Sequence, residues 1–145
     1  MRLNIDCIRD LLLCIEDHTG LRKSCHFIDS SLTEVVKFTG DEVAISEYQS
    51  TLMKKYDNDT LIYHLWYCVE DNLISIFDNS DMQYNICVQK LTPAGHRFLD
   101  TIRDNTIWGK TKKVISGFSS ISLRIVEQVA SQILLECIRE VLLSR

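Results

Sequence analysis

Between residues 57 and 105 the apolar periodicity changes twice, and this alternation limits the architecture more than any single motif does. In "DTLIYHLWYCVED" Leu61, Leu65, Cys68 and Val69 recur at helical spacing, and Ile62 and Trp66 widen that stripe. Asp57-Asn58-Asp59 supplies cap residues ahead of it, and Asn72 stands where a left-handed helix end is wanted. The pattern then shifts to two strand-like runs, "LISIF" and "YNICVQKL", around the polar turn "DNSDMQ". Helical spacing returns in "LTPAGHRFLDTIRDN". There Thr92 is the N-cap, Pro93 takes the first helical position, and Phe98, Leu99 and Ile102 face inward. One Pro and five Gly in 145 residues argue against a loop-rich all-β fold.

Upstream, "NIDCIRDLLLCIEDHTG" places Ile8, Leu11, Leu12 and Ile15 on one face, with Asp6 early and Gly20 after the last turn. Cys7 and Cys14 flank that stripe, so packing accounts for both. "CHFI" and "TEVVKF" are short and β-prone, with Gly40-Asp41 as a turn, and a helix is expected from about Ile45 to Tyr56 with Leu52 and Met53 inward. Helix, helix, helix, strand, turn, strand, helix is the order of a winged helix-turn-helix domain, and the early β-prone stretch supplies a third strand. The fold class expected is mainly α (α+β): a winged-helix body over residues 1–104, a basic linker helix over 105–118, and a long C-terminal helix over 119–145.

That last helix carries more apolar surface than one core-facing stripe needs, including Val126, Val129, Ile133, Ile138 and Leu142. Arg124, Glu127, Gln128, Gln132, Glu136, Arg139 and Glu140 interrupt any apolar run long enough to span a bilayer. Packing between subunits or against a partner protein is therefore the expectation, with an amphipathic membrane-surface helix behind it.

Four stretches resemble small bacterial and prophage-associated proteins, the YjcQ-like and neighbouring domain-of-unknown-function families. They are "NIDCIRDLLLCIED", "YHLWYCVEDNLI", "LTPAGHRFLDTIRDNTIWGKTKK" and "SLRIVEQVASQIL", and they cover most of the chain except roughly residues 20–50. The resemblance implies a winged-helix body, a C-terminal helical extension and a mobile-element context. It carries no catalytic or ligand-binding residues. Asn72 departs from it, standing where similar proteins often have Gly.

A winged helix invites a DNA-binding reading, but the charge opposes it. From Asp57 to Asp81 there is no Lys or Arg, while Asp57, Asp59, Glu70, Asp71, Asp78 and Asp81 are present. Phosphate neutralisation supplies most of the affinity of such modules, so an acidic third helix and wing would repel the duplex. On that helix Asn58, Asp59, Thr60, Tyr63, His64, Tyr67, Glu70 and Asp71 are the expected exposed positions. Tyr63 and Tyr67 are the candidate protein anchors, weighed against a plain core-covering role.

Net charge is −4, yet residues 1–104 hold 10 basic and 17 acidic side chains, and residues 105–145 hold 6 and 3. Any nucleic-acid contact would fall on Lys110, Lys112 and Lys113, with Arg103.

Six cysteines form no C-x-x-C pair, and the N-terminus reads as lacking a secretory leader, so a reduced, cytoplasmic chain is expected. His64/Cys68 and Cys25/His26 match no zinc spacing. Cys25 and His26, as neighbours in a strand, point to opposite faces and cannot pair directly. His96 is expected in solvent. No nucleophile elbow, phosphate loop or paired-carboxylate pattern is present, and no metal or cofactor is implied.

Three function classes follow. The first is a non-enzymatic, prophage- or mobile-element-associated interaction protein that uses a winged-helix scaffold for protein–protein contacts and self-associates through the last helix. The second is a DNA-binding transcriptional regulator, and the third a membrane-surface effector.

Overall fold

The computed structural model describes residues 1–32, 44–78 and 84–144. "TEVVKF", the Gly40-Asp41 turn and nearly all of the "DNSDMQ" wing lie outside the described residues. Among the described residues the chain is mixed α and β, with six α-helices and one three-stranded antiparallel sheet. The order is α1 (Ile5–His18), β1 (Cys25–Ile28), α2 (Glu47–Met53), α3 (Asn58–Glu70), β2 (Ile74–Ile76), β3 (Asn85–Leu91), α4 (Pro93–Ile102), α5 (Asn105–Ile115) and α6 (Leu123–Leu143). A short 3-10 turn, Ser30–Leu32, follows β1. Two compact units are present, Met1–Gly95 and His96–Arg145.

In the first unit α1 packs against α3 and β3, and α2 contacts both helices. Capping fixes where the helices begin. The Asn4 side chain accepts from Cys7 N–H, Ser46 from Gln49 N–H, and Asp57 from Thr60 N–H. The expected α1 stripe of Ile8, Leu11, Leu12 and Ile15 is fully buried, joined by Cys7. Strand order is β1-β3-β2, so the early β-prone "CHFI" does supply the third strand, pairing Cys25 with Val88 and Phe27 with Ile86. Register slips between Ser75 and Ile76, leaving Gln89 as an extra residue on β3. This bulge explains why Gln89 and Lys90 are both exposed while Leu91 turns back into the core.

β1 is an edge strand, and its free edge is closed by α2. Gln49 is fully buried, its Oε1 accepting from Ile28 N–H at 2.8 Å and its Nε2 donating to Ile28 C=O at 2.7 Å. Next to it, the Tyr48 hydroxyl accepts from His26 N–H at 2.8 Å and donates to His26 C=O at 3.0 Å. Two consecutive side chains thus supply the four hydrogen bonds that an added strand would otherwise make there.

At the far end of α3 the chain turns sharply. Asn72 has φ 59°, Leu73 N–H bonds to Cys68 C=O and Asn72 N–H to Val69 C=O, which together make a Schellman end. The corner is clamped to the start of α4: Thr92 Oγ1 donates to Asn72 C=O at 2.6 Å and accepts from Gly95 N–H at 3.0 Å, while Thr92 N–H bonds to Leu73 C=O. A Cβ on Gly95 would lie 2.0 Å from the Leu73 carbonyl oxygen, so only glycine lets these two backbones approach.

In the second unit α5 and α6 pack against each other. Asp104 caps α5 by accepting from Thr106 and Ile107 N–H, and Ser122 caps α6 by accepting from Ile125 N–H. One expectation needs correction here. Ser122 chemistry starts the last helix at Leu123, not Ser119. The segment expected as a basic linker helix is helical over Asn105–Ile115, and its Ile107, Trp108, Thr111 and Ile115 are buried.

Two stability measurements check these points. Gln49→Leu leaves a buried N–H and C=O of Ile28 without partners and is expected to cost about 2–4 kcal/mol in urea unfolding. Gly95→Ala should cost at least about 2 kcal/mol through overpacking, whereas Gly109→Ala, in helix α5 with open space around it, should stabilise by about 0.5–1 kcal/mol.

Candidate functional site

Helix α3 buries Leu61, Ile62, Leu65 and Cys68, as its spacing predicts. Two of its neighbours behave otherwise. His64, expected in solvent, is fully buried: Asn4 N–H donates to its Nε2 at 2.7 Å, and its Nδ1 lies 2.7 Å from Thr60 C=O. A backbone N–H only donates, so Nε2 must accept and Nδ1 must carry the hydrogen toward Thr60. His64 therefore ties the start of α1 to α3 as a neutral ring, and its polar atoms are spent inside the unit. Trp66, expected to widen the core stripe, is instead 39% exposed, beside Tyr63 at 46%.

The solvent face of α3 thereby reads Asp59, Tyr63, Trp66, Glu70, at spacings of four, three and four residues. Two exposed aromatic rings lie between two exposed carboxylates. Asp57 and Asp71 add further charge at the two ends of the helix. Hydrogen bonds from Thr60 hold the Asp57 carboxyl below the usual carboxylate range, which keeps it ionised where the helix N-terminus favours an anion. Tyr67, the other tyrosine singled out from sequence, is half-buried, and burial followed by the nearby Asp71 charge pushes its phenol up. Such a strip can receive a guanidinium or ammonium against its rings and carboxylates, and it opposes phosphate.

The linker cations do not form one patch. Arg103 is paired with Asp100 at 2.9 Å. Lys112 lies with its Nζ 6.0 Å from the Trp108 ring centre. Lys110 and Lys113 line a different place, a shallow cleft of about 340 Å³ shared with Val114, Ile133, Glu136, Cys137 and Glu140. There the Lys110 Nζ is 3.8 Å from Cys137 Sγ, and two glutamates offset the two lysines.

On α6 the candidate interface residues divide. Val126 is fully buried and so cannot meet a partner; it sits on the same helical face as Leu123 and Ala130, each about one turn away. Val129 and Ile133 are half-buried. Ile138 and Leu142 are exposed, the latter at 61%, and Leu135 joins them at three- and four-residue spacing. Among the described residues no helix is long and apolar enough to cross a membrane.

The residues weighed for metal binding are dispersed in role. His64 is engaged by Asn4 and Thr60, and Cys25 lies on the core face of β1. Among the described residues no three His, Cys, Asp or Glu side chains are placed to hold an ion. His26 does meet a thiol, but across the sheet: its Nε2 is 3.8 Å from Cys87 Sγ, and its Nδ1 is 3.2 Å from Asn85 Oδ1. Sequence spacing of 59 to 61 residues gives no local signal for that cluster.

Comparison with known proteins adds a family and little chemistry. The family model described as "Hypothetical protein (DUF2513)" matches residues 2–122, stopping where α6 begins. An uncharacterized protein of Haemophilus influenzae is 30% identical over 136 residues, covering 92% of this chain and 96% of that protein. No solved structure matches. With most of its length matched by that model, the chain belongs to the DUF2513 family.

Proposed function

We propose that the chain is a non-enzymatic interaction protein, built on a winged-helix scaffold, that binds a protein through α3 and self-associates through α6. The winged-helix reading of residues 1–95 is supported by the order α1, β1, α2, α3, β2, β3 and by the strand order β1-β3-β2. The observation that carries the functional reading is the α3 strip of Asp59, Tyr63, Trp66 and Glu70. It occupies the helix with which such a scaffold would enter a DNA groove, and no Lys or Arg lies between Lys55 and Lys90. Aromatic side chains with one exposed face are strong interface anchors, and flanking carboxylates select a basic partner surface while rejecting a polyanion.

The α6 part rests on Leu135, Ile138 and Leu142, whose three- and four-residue spacing makes a short exposed apolar seam. A second copy of the chain offers the same seam in return.

Two experiments test the reading. Light scattering of the full chain is expected to give a dimer or larger species. Leu135→Glu, Ile138→Glu and Leu142→Glu together should return it to monomer without lowering its melting temperature; a parent chain monomeric at every concentration would remove self-association. Mixed-sequence duplex DNA is expected to give no mobility shift near physiological salt. A salt-dependent shift that disappears on replacing Lys110, Lys112 and Lys113 by Gln would overturn the protein-binding reading in favour of a regulator.

A further inference from the structure

The core face of the sheet is filled by Cys25, Phe27, Ile86 and Val88. Its outer face holds a small polar cluster. His26 and Cys87 are direct cross-strand partners, and Asn85, two residues along β3, points to the same side. Cys87 Sγ lies 3.8 Å from His26 Nε2 and 3.6 Å from Ser24 Oγ, and Asn85 Oδ1 lies 3.2 Å from His26 Nδ1.

The tautomer follows from the acceptor. A carboxamide oxygen cannot donate, so Nδ1 carries the hydrogen toward Asn85 and Nε2 presents its lone pair to the sulfur. Tyr48 holds the His26 main chain through both its N–H and its C=O, and the ring itself is held between Asn85 and Cys87. Nucleophile, base and a third group that orients the base are therefore assembled by strand register alone.

We propose that Cys87 is a reactive thiol, with His26 as its base and Asn85 as the positioning residue, and that it undergoes thiol–disulfide exchange with small-molecule disulfides. In that step His26 Nε2 takes the Cys87 proton, and the thiolate attacks one sulfur of RS–SR. A Cys87–SR bond forms as the RS–SR bond breaks. The second sulfur leaves as RS⁻ with the electron pair and takes the proton back from the imidazolium as RSH. Cys87 is oxidised to a mixed disulfide, and one half of the reagent is reduced to thiol.

Cys87 is only 7% exposed while His26 faces solvent, so a small disulfide is a better match for the thiol than a protein one. Selectivity among the six cysteines follows from their surroundings. Burial first, then neighbouring acidic groups, pushes the Cys7 and Cys14 thiols up to about 12. Burial likewise raises Cys25 to about 12, and Cys68 is pushed up by burial most of all. These four stay protonated. Cys137, half-exposed beside Lys110, is the competitor.

The test treats the full chain with oxidised glutathione or cystamine under native conditions and maps the adduct by peptide mass spectrometry over time. The expected result is one adduct, on Cys87, absent in Cys87→Ser. His26→Gln and Asn85→Ala should slow it by on the order of tenfold to a hundredfold, the lower reach of a positioned base. Asn85→Asp, which keeps the accepting oxygen, should restore the rate where a merely structural role for Asn85 would not. Circular dichroism establishes that each variant is folded. Adduct appearing first on Cys137, no adduct on any thiol, or a folded His26→Gln chain that reacts as fast as the parent would each overturn the proposal.

Discussion

The unit formed by residues 1–95 depends on how α2 closes the free edge of β1. Main-chain groups at a sheet edge need partners, and here Tyr48 and Gln49 supply them from a helix of only seven residues. Because Gln49 bonds to both polar groups of Ile28, α2 is fixed in direction as well as in distance. The adjoining segment is held by the same logic. Asn58, the first residue of α3, accepts from Ser30 N–H at 2.8 Å and donates to Asp29 at 3.0 Å, joining the end of β1 to the start of α3. At the other end of α2, Tyr56 donates to Asp10 on α1 at 2.7 Å. The orientation of α3, and so the face it turns to solvent, is thus set by side-chain bonds to β1 and α1 as much as by apolar burial.

How much of this was legible in the sequence depends on the reach of the signal. Caps at Asp57 and Thr92, the left-handed turn at Asn72 and the stripe of α1 all came through, since each is local chemistry within a few residues. His64 and Trp66 were exchanged between core and solvent. On a helix this apolar both residues fit either side, and only the distant Asn4 N–H, sixty residues away, decides for the histidine. Gln49 gave no signal because a glutamine in a short amphipathic helix reads as a surface residue. The thiol–imidazole–amide cluster was equally hidden: it arises from the pairing of β1 with β3, and register is not written in either strand alone.

The candidate interface was partly visible for the same reason. An acid-rich segment without cations can be read directly, and so can an over-apolar helix. Which of its side chains turn outward cannot, because α6 is apolar on more than one side. Val126 and Leu142 look alike in sequence, yet one is enclosed and the other open. The family match ends at residue 122, so this helix lies outside the matched residues.

With the β1 side sealed by tyrosine and glutamine, the three described strands have one flank left through which main-chain pairing could extend the sheet, that of β2. That strand spans three residues and borders the register slip opposite Gln89, so it offers a short, twisted template. The described sheet is thereby guarded against indiscriminate strand-to-strand stacking, and the side chains of its flanking helix, more than main-chain pairing, determine what can approach it.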